Sequence, residues 1–219
     1  LLGNTFANFF HSTYSSDDGI LPEFDNFTVQ DKLNDVIFNT DEIKMVLLNC
    51  SDSVSFGPDG LSAYFLKRIS GCIALPLSII FQKSFDTGKL PDAWKKAVVI
   101  PLYKGKGSRF DVNNYRPISL TCVLCKVMET IIKNQIIAHC DCNDLLSDCQ
   151  HGFRSKHSTV TNLLEVMNDV TFALDKGENT DLICIDFSKA FDSVSHNKLL
   201  LKLQGYGING NLLKWIGAF

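Results

Sequence analysis

The segment around Asp186 contains residue types that could hold a divalent metal ion. A continuous apolar run, Leu182 to Ile185, ends abruptly at Asp186, which predicts a strand buried on both faces with a carboxylate at its C-terminal tip. Mg²⁺ prefers hard oxygen ligands, and Asp186 with the backbone carbonyl of Phe187 could supply two of them for phosphoryl transfer at a 3′ hydroxyl. The same residues also allow a plain structural role, in which Asp186 ends the strand and Asp192 caps the following turn.

A second cluster, Lys104 to Arg109 followed by Asn114 to Ser119, combines glycines with positive charges. Glycines let the backbone approach phosphates, lysines neutralise them, and Arg116 could grip one through two hydrogen bonds. The order Gly-x-x-x-x-Gly-Lys-Ser/Thr of a Walker loop is absent. The cluster predicts a site for a triphosphate tail, while Lys106 and Arg109 could equally belong to a solvated basic turn.

The third cluster, Gln150 to Thr159, could face a nucleic-acid backbone. Gly152 and Arg154 precede a helix that Ser158 is expected to cap, so that amides at the helix start and the Arg154 guanidinium could meet template phosphates. Taken alone, the same residues also describe an ordinary helix entry.

Periodic segments that predict helices and strands surround these clusters. Ala97 to Leu102 predicts a short strand in a hairpin that carries the basic loop. Because helical and strand-like segments alternate, the predicted class is α/β or α+β. One predicted helix begins at Thr40, and two more are predicted after Ser195 and after Gly207. The other predicted helices span Leu61–Ser70, Ile73–Thr87 (ended by Gly88 and Pro91), Ser119–His139 and Thr159–Asp175.

The composition permits a packed core in one domain or one and a half. With 219 residues, 45% hydrophobic, the chain is expected to fold, but a net charge of -3 gives no general attraction to nucleic acid. The eight cysteines lie mostly in apolar runs, which indicates reduced thiols in an intracellular protein. No apolar run is long enough to cross a membrane, so we expect a soluble chain with no membrane partner.

The clusters, in their order along the chain, resemble successive blocks of the reverse transcriptases of non-long-terminal-repeat (LINE-type) retrotransposons. The resemblance spans Thr40 to Phe219 and rests on FGPDGLSAYFLK, WKKAVVIPLYKGKG, NYRPISL, QHGFRSKHST and ICIDFSKAFDSV. It implies an RNA-directed DNA polymerase with an incomplete right-hand fold. Residues 1–39 would be a linker-like segment, 40–95 a helical N-terminal extension, and 96–219 the fingers and a partial palm.

The resemblance also implies roles for individual residues. Asp186 would be the first metal-binding aspartate and Phe187 a carbonyl ligand in a two-metal Mg²⁺ site. Lys104 and Arg116 would hold the phosphates of the incoming deoxynucleoside triphosphate. Phe191 would be the steric gate that excludes a 2′ hydroxyl.

The implied nucleic-acid partners are an RNA template and a DNA primer, and the implied compartment is the nucleus or the cytoplasm. Gln150, Gly152 and Arg154 would lie along the template or the neighbouring palm. The sequence does not determine the oligomeric state.

Two departures from the family pattern bear on activity. The chain has neither a Phe/Tyr-x-Asp-Asp segment nor a Pro-Gln-Gly block, so we expect an excerpt that is inactive alone and exposes apolar surface. A decayed or domesticated fragment that binds RNA or a protein without catalysis is the alternative. An unrelated magnesium phosphatase or nuclease using Asp186 and Asp192 would leave the basic clusters unexplained.

A zinc site is a further alternative for the loop that follows the long central helix. It contains His139, Cys140, Cys142, Cys149 and His151. The spacing Cys-x-Cys-x6-Cys differs from a standard zinc knuckle, and cysteines beside buried helices usually act as small apolar residues.

Overall fold

The computed structural model describes residues 2–14, 19–20, 29 and 31–219. The other residues of the predicted linker, which was expected over residues 1–39, lie outside the described ranges. Regular structure in these ranges consists of helices and one two-stranded antiparallel sheet, in agreement with a mixed α and β class. The elements are α1 (Leu2–His11), α2 (Thr40–Leu48), α3 (Ala63–Arg68), α4 (Ser70–Thr87), β1 (Val98–Tyr103), β2 (Tyr115–Leu120), α5 (Val123–Cys142), α6 (Thr159–Asp175), α7 (His196–Gly205) and α8 (Gly210–Ala218). Short 3-10 turns occur at Asp92–Lys95 and Val112–Asn114.

The core lies among α2, α3, α4, α5 and α8, which we call the helical body. Helix α2 packs on α4 and α5, and α4 packs on α8. Ile43 and Leu47, one helical turn apart, are fully buried on the inner face of α2, as their spacing predicts. Burial of each such side chain stabilises the fold by about 1.5 to 3 kcal/mol. Other large side chains that are completely buried in the helical body are Phe81, Phe85, Met128, Ile131 and Leu212.

Local signals explain where several helices start and stop. The Asn39 side chain accepts a hydrogen bond from the Asp41 amide at 2.8 Å, which caps α2 one residue before the predicted start. Gly88 ends α4 in the left-handed conformation with φ of 61°, and its amide donates to the carbonyls of Phe85 and Ser84. Ser158 caps α6, and the predicted span Thr159–Asp175 is confirmed.

An extended segment joins the start of the helical body to the turn between α7 and α8. The Leu33 amide donates to the Gly207 carbonyl at 3.0 Å, and the Asn209 amide donates to the Leu33 carbonyl at 3.0 Å. Gly207 has φ of 80°, and a Cβ atom there would meet Val29 Cγ1 at 2.9 Å. Glycine is therefore required at this position by both conformation and space.

The predicted hairpin is confirmed. Strands β1 and β2 pair antiparallel, with Ile100 opposite Ile118 and Leu102 opposite Arg116. The predicted helix start at Ser119 is wrong, because Ser119 pairs with Val99 in the ladder and α5 begins only at Val123. The basic loop therefore projects from a short ribbon that leads directly into the central helix.

Residues 159–194, which we call the uncovered segment, differ from the helical body in burial. Helix α6 has no buried residue, and every residue from 174 to 191 is exposed. The predicted buried strand Leu182–Ile185 is wrong, because these residues form no regular structure and Ile185 is 81% exposed. A strand needs a neighbouring edge, and within the described ranges β1 and β2 pair only with each other. The exposed apolar surface itself agrees with the expectation from sequence.

In the described ranges no helix is long and apolar enough to cross a membrane. All eight cysteines are free thiols, as the sequence predicts.

Candidate functional site

Three separate parts of the chain surround one cavity with a volume of about 570 Å³. They are the end of α1, the β1–β2 hairpin with its loop, and the turn that follows Asp186. The cavity is lined by Phe9, Phe10, Thr13, Lys104, Lys106, Asn113, Tyr115, Arg116, Pro117, Asp186, Lys189, Ala190, Phe191 and Asp192. Four of the residues singled out from sequence, Lys104, Arg116, Asp186 and Phe191, therefore line the same cavity.

The hairpin loop is held by its own hydrogen bonds. Lys104 Nζ donates to the Asn113 carbonyl at 2.6 Å, and the Lys104 amide donates to the Asn114 carbonyl at 2.8 Å. The Asn114 side chain donates to the Ser108 carbonyl at 2.9 Å. It occupies the space where a Cβ atom on Gly107 would lie, 2.5 Å from Asn114 Nδ2, and Gly107 has φ of 80°. Gly107 thus lets the loop close tightly around Asn114.

Asp111 fixes the turn that precedes β2. Its carboxylate accepts hydrogen bonds from the Asn113 amide at 2.9 Å and from the Asn113 side chain at 2.8 Å. These two bonds lower the pKa of the exposed Asp111 carboxyl below its ordinary value, and the bond from the backbone amide has the larger effect. The carboxylate thereby orients Asn113, whose carbonyl accepts the Lys104 ammonium.

Positive charge dominates the cavity wall. Arg116, on β2, is exposed, and its guanidinium has no ion pair with any residue that the structure describes. Among the described residues, the wall has four cations, Lys104, Lys106, Arg116 and Lys189, and two carboxylates, Asp186 and Asp192. This balance favours a polyanion, because several cations raise the local concentration of negative ligands.

The turn after Asp186 brings an ammonium and an aromatic ring to the cavity. Lys189 has φ of 51°, and its carbonyl accepts the Ser193 amide at 3.1 Å, which closes the turn. The Lys189 ammonium lies 5.4 Å from the centre of the Phe9 ring. Phe191 meets Phe153 edge to face, with ring centres 6.0 Å apart. Phe187 does not line the cavity and is 79% exposed.

Helix α1 contributes a wall that the sequence interpretation missed. The Phe6 ring packs edge-on against Tyr115 of β2 at 4.8 Å, and Tyr115 lies 5.5 Å from Tyr103 across the hairpin. Phe9 and Phe10 line the cavity itself. The spacing of Phe6, Phe9 and Phe10 is that of one helix face, and this was the signal available in the sequence.

The third cluster lies outside this cavity. The Arg154 guanidinium donates to the Ser147 carbonyl at 2.9 Å and lies 3.6 Å from Asp141 and 3.9 Å from Asp148. These contacts tie the loop after α5 to the end of that helix. Gln150 is exposed and donates to the Gly152 carbonyl at 3.3 Å, and Gly152 has open space beside it.

The histidines of the proposed zinc alternative have other partners. His139 Nε2 lies 2.7 Å from the Tyr206 carbonyl. His151 is buried between Thr161, 2.8 Å from Nδ1, and Glu165, 3.0 Å from Nε2. In the part of the chain that the structure describes, no three His, Cys, Asp or Glu side chains are arranged to hold a metal ion.

Comparison with known proteins gives the family. Residues 103–219 match the model described as "Reverse transcriptase (RNA-dependent DNA polymerase)". Because this match covers more than half of the chain, the chain belongs to the reverse transcriptase family. The resemblance to the enzymes of non-long-terminal-repeat retrotransposons is confirmed by relatives from mobile elements.

Three of these relatives illustrate the similarity. The RNA-directed DNA polymerase from mobile element jockey of Drosophila melanogaster is 38% identical over 131 residues, which are 58% of this chain and 14% of the relative. Its counterpart in Drosophila funebris is 31% identical over 179 residues, 82% of this chain and 19% of the relative. The probable RNA-directed DNA polymerase from transposon X-element of Drosophila melanogaster is 29% identical over 184 residues, 80% of this chain and 20% of the relative. The chain thus spans a fifth or less of the length of each.

Proposed function

We propose that this chain is the fingers and the beginning of the palm of an RNA-directed DNA polymerase, and that the cavity between α1, the hairpin and the Asp186 turn receives the incoming deoxynucleoside triphosphate. The observation that carries the proposal is the meeting of Lys104, Arg116, Asp186 and Phe191 around one cavity, although they come from distant parts of the sequence. A volume of about 570 Å³ lies in the range of small-ligand sites.

Each residue has a role in this proposal. The exposed guanidinium of Arg116 and the ammonium of Lys104 bind phosphate oxygens, because bidentate and charge-assisted hydrogen bonds are the strong ones. Phe191 lies beneath the sugar and limits the room for a 2′ hydroxyl. Gln150, Gly152 and Arg154 belong to the template side, with Arg154 acting through the loop that it fixes to α5.

The donor atoms present are compatible with part of a magnesium site. Asp186 and the Phe187 carbonyl would hold the ion, because both offer hard oxygen atoms. When bound, the metal would stabilise the charge that develops during phosphoryl transfer. Among the residues that the structure describes, Asp186 and Asp192 are the carboxylates that line the cavity, and the sequence has no Phe/Tyr-x-Asp-Asp segment to add the paired aspartates of the family. In this proposal, the remaining carboxylates belong to a longer polymerase, and the chain alone does not polymerise.

The proposed architecture is a right hand in which residues 40–95 form a helical N-terminal extension and residues 96–219 form the fingers and the opening part of the palm. The confirmed hairpin supports the fingers assignment, because it presents the basic loop at its tip. An RNA template and a DNA primer are the other partners proposed for the longer enzyme.

The test is Asp186→Asn in a polymerase that contains this chain. Nucleotide incorporation is expected to fall by roughly a thousandfold or more, because the loss of a metal ligand removes several kcal/mol of transition-state stabilisation. Asp181→Asn is the matched control, since Asp181 is exposed in the same segment and does not line the cavity. Circular dichroism should be unchanged in both variants. Substantial incorporation by Asp186→Asn would remove Asp186 from the metal site.

A further inference from the structure

Helix α1 lies outside residues 103–219, the part of the chain that matches the family model, yet it lines the proposed nucleotide site. It is held to the hairpin through Phe6, whose ring packs on Tyr115 at 4.8 Å. Phe9, Phe10 and Thr13 extend from the same helix, or from just beyond its end, to the cavity wall. The helix is therefore positioned by one aromatic residue and presents others to the site.

The chemistry of the cavity divides between its walls. The hairpin contributes three cations, Lys104, Lys106 and Arg116, together with Tyr115, whereas α1 contributes no charge and the two rings of Phe9 and Phe10. A nucleotide has the same division, with a polyanionic tail and a flat aromatic base. Bases gain affinity by stacking on aromatic side chains, and this gain does not depend on which base is present.

We infer that Phe9 and Phe10 of α1 form an aromatic surface for the base of the incoming deoxynucleoside triphosphate. The inference rests on the proposed function of the cavity and assigns α1 a direct part in it.

The two rings are fixed before any ligand arrives. Phe10 lies 5.9 Å from Phe6 with ring planes 26° apart, and 5.6 Å from Phe9. The Lys189 ammonium lies 5.4 Å from the centre of the Phe9 ring. Both phenylalanines are half-buried, so each ring is partly covered by neighbours and keeps an accessible part that lines the cavity. Such preorganisation favours binding, because less side-chain freedom is lost when the ligand arrives.

The aromatic contact between α1 and the hairpin is made by Phe6, whereas the ring contacts of Phe9 are with Phe10 and Lys189. Phe9 and Phe10 thus reach the cavity without contacting the rings of the hairpin.

The test compares two ligands on the 219-residue chain by calorimetry in magnesium chloride: dATP and inorganic tripolyphosphate. Tripolyphosphate reports the cations alone, whereas the extra affinity of dATP includes the base. The variant is the double substitution Phe9→Leu with Phe10→Leu, which keeps apolar bulk and favours the helix. Phe110→Leu is the control, because Phe110 is fully exposed on the hairpin loop and does not line the cavity. Thermal melts check that each variant folds.

The double variant is expected to lose about tenfold in affinity for dATP and nothing for tripolyphosphate, since stacking on one base gives about this gain. An unchanged or increased affinity of the double variant for dATP would overturn the inference without contradicting the proposed phosphate site. Arg116→Ala tests the phosphate site itself, because it should lower the affinity for both ligands by about tenfold. If tripolyphosphate binding is absent or insensitive to Arg116→Ala, the proposed function of the cavity fails instead.

Discussion

The helical body and the uncovered segment both contain many apolar residues but differ in what covers them. In the body, Phe81, Phe85 and Met128 are completely buried. In the uncovered segment, Leu163 is 63% and Ile183 is 82% exposed. Helix α6 is nonetheless well formed, with a capping box at Ser158. Local signals are thus sufficient to form a helix in both regions, whereas burial depends on which neighbours are available.

The candidate site lies outside the helical body, between α1, the hairpin and the uncovered segment. Lys104 and Arg116 are on the hairpin, which leads directly into α5 of the helical body, whereas Asp186 and Phe191 belong to the uncovered segment. We expect the hairpin side of the cavity to be the more stable one, because main-chain hydrogen bonds pair its two strands, whereas residues 182–187 form no regular structure.

The largest expected difference is in thiol reactivity. Cys184 is exposed in the uncovered segment, whereas Cys125 is buried in α5, where burial, followed by the nearby Glu129 charge, raises the pKa of its thiol. Because the thiolate is the reactive form, Cys125 should stay protonated even as the pH approaches 9.0, the ordinary value, and should react only after unfolding. For a stability of at least about 5 kcal/mol, Cys184 should react roughly a thousandfold faster or more.

Timed alkylation with iodoacetamide followed by peptide mass spectrometry measures this ratio. In guanidinium chloride the two rates should become similar. Equal rates under native conditions would mean that the helical body opens as readily as the uncovered segment.

The second prediction concerns stability. Phe81→Ala should lower the free energy of unfolding by about 3 to 5 kcal/mol, because it removes a completely buried ring that packs edge-on against Phe38, Trp94 and their neighbours. Leu163→Ala is the matched truncation in α6 and should change the free energy of unfolding by about 0.5 kcal/mol or less. Urea unfolding followed by circular dichroism gives both values. A large loss in Leu163→Ala would show that α6 has a buried face in solution.

The sequence predicted well those elements whose signals are local. The apolar spacing of Ile43 and Leu47, the cap at Ser158 and the glycine at position 88 each mark a helix face or boundary that the structure has. The strand expected at Leu182–Ile185 failed, because an apolar run specifies burial only when another element supplies a partner. The start of α5 was placed too early, since pairing with β1 holds Ser119 in the ladder.

For the candidate site, the sequence predicted which residues carry charge but not all of the walls. Lys104, Arg116 and Asp186 were recognisable as candidate site residues, because the first two belong to a basic cluster with glycines and Asp186 ends an apolar run. Phe9 and Phe10 were missed because their spacing indicates one apolar helix face but does not show which part of the molecule that face contacts. The roles of Gln150, Gly152 and Arg154 in template binding remain predictions.

The smallest effect is expected at the contact that links the loop after α5 to the uncovered helix. His151, in this loop, is buried and contacts Thr161 and Glu165 of α6 at 2.8 and 3.0 Å. Thr161 Oγ donates to the Ser158 carbonyl at 2.9 Å and accepts the Ser158 amide at 2.9 Å. His151 therefore joins the loop to α6 through both ring nitrogens, one beside the Thr161 hydroxyl and one beside the Glu165 carboxylate.

His151→Ala should therefore loosen α6 by about 1 to 3 kcal/mol, the usual cost of losing hydrogen bonds to a charged group, without melting the helical body. Amide hydrogen exchange should quicken along Thr159–Asp175 and stay unchanged in α5. His196→Ala, at an exposed position that starts α7, is the control and should alter neither helix. Faster exchange in α5 as well would show that the two regions unfold as one unit. Unchanged exchange in α6 would mean that the capping box at Ser158 holds the helix in place without His151.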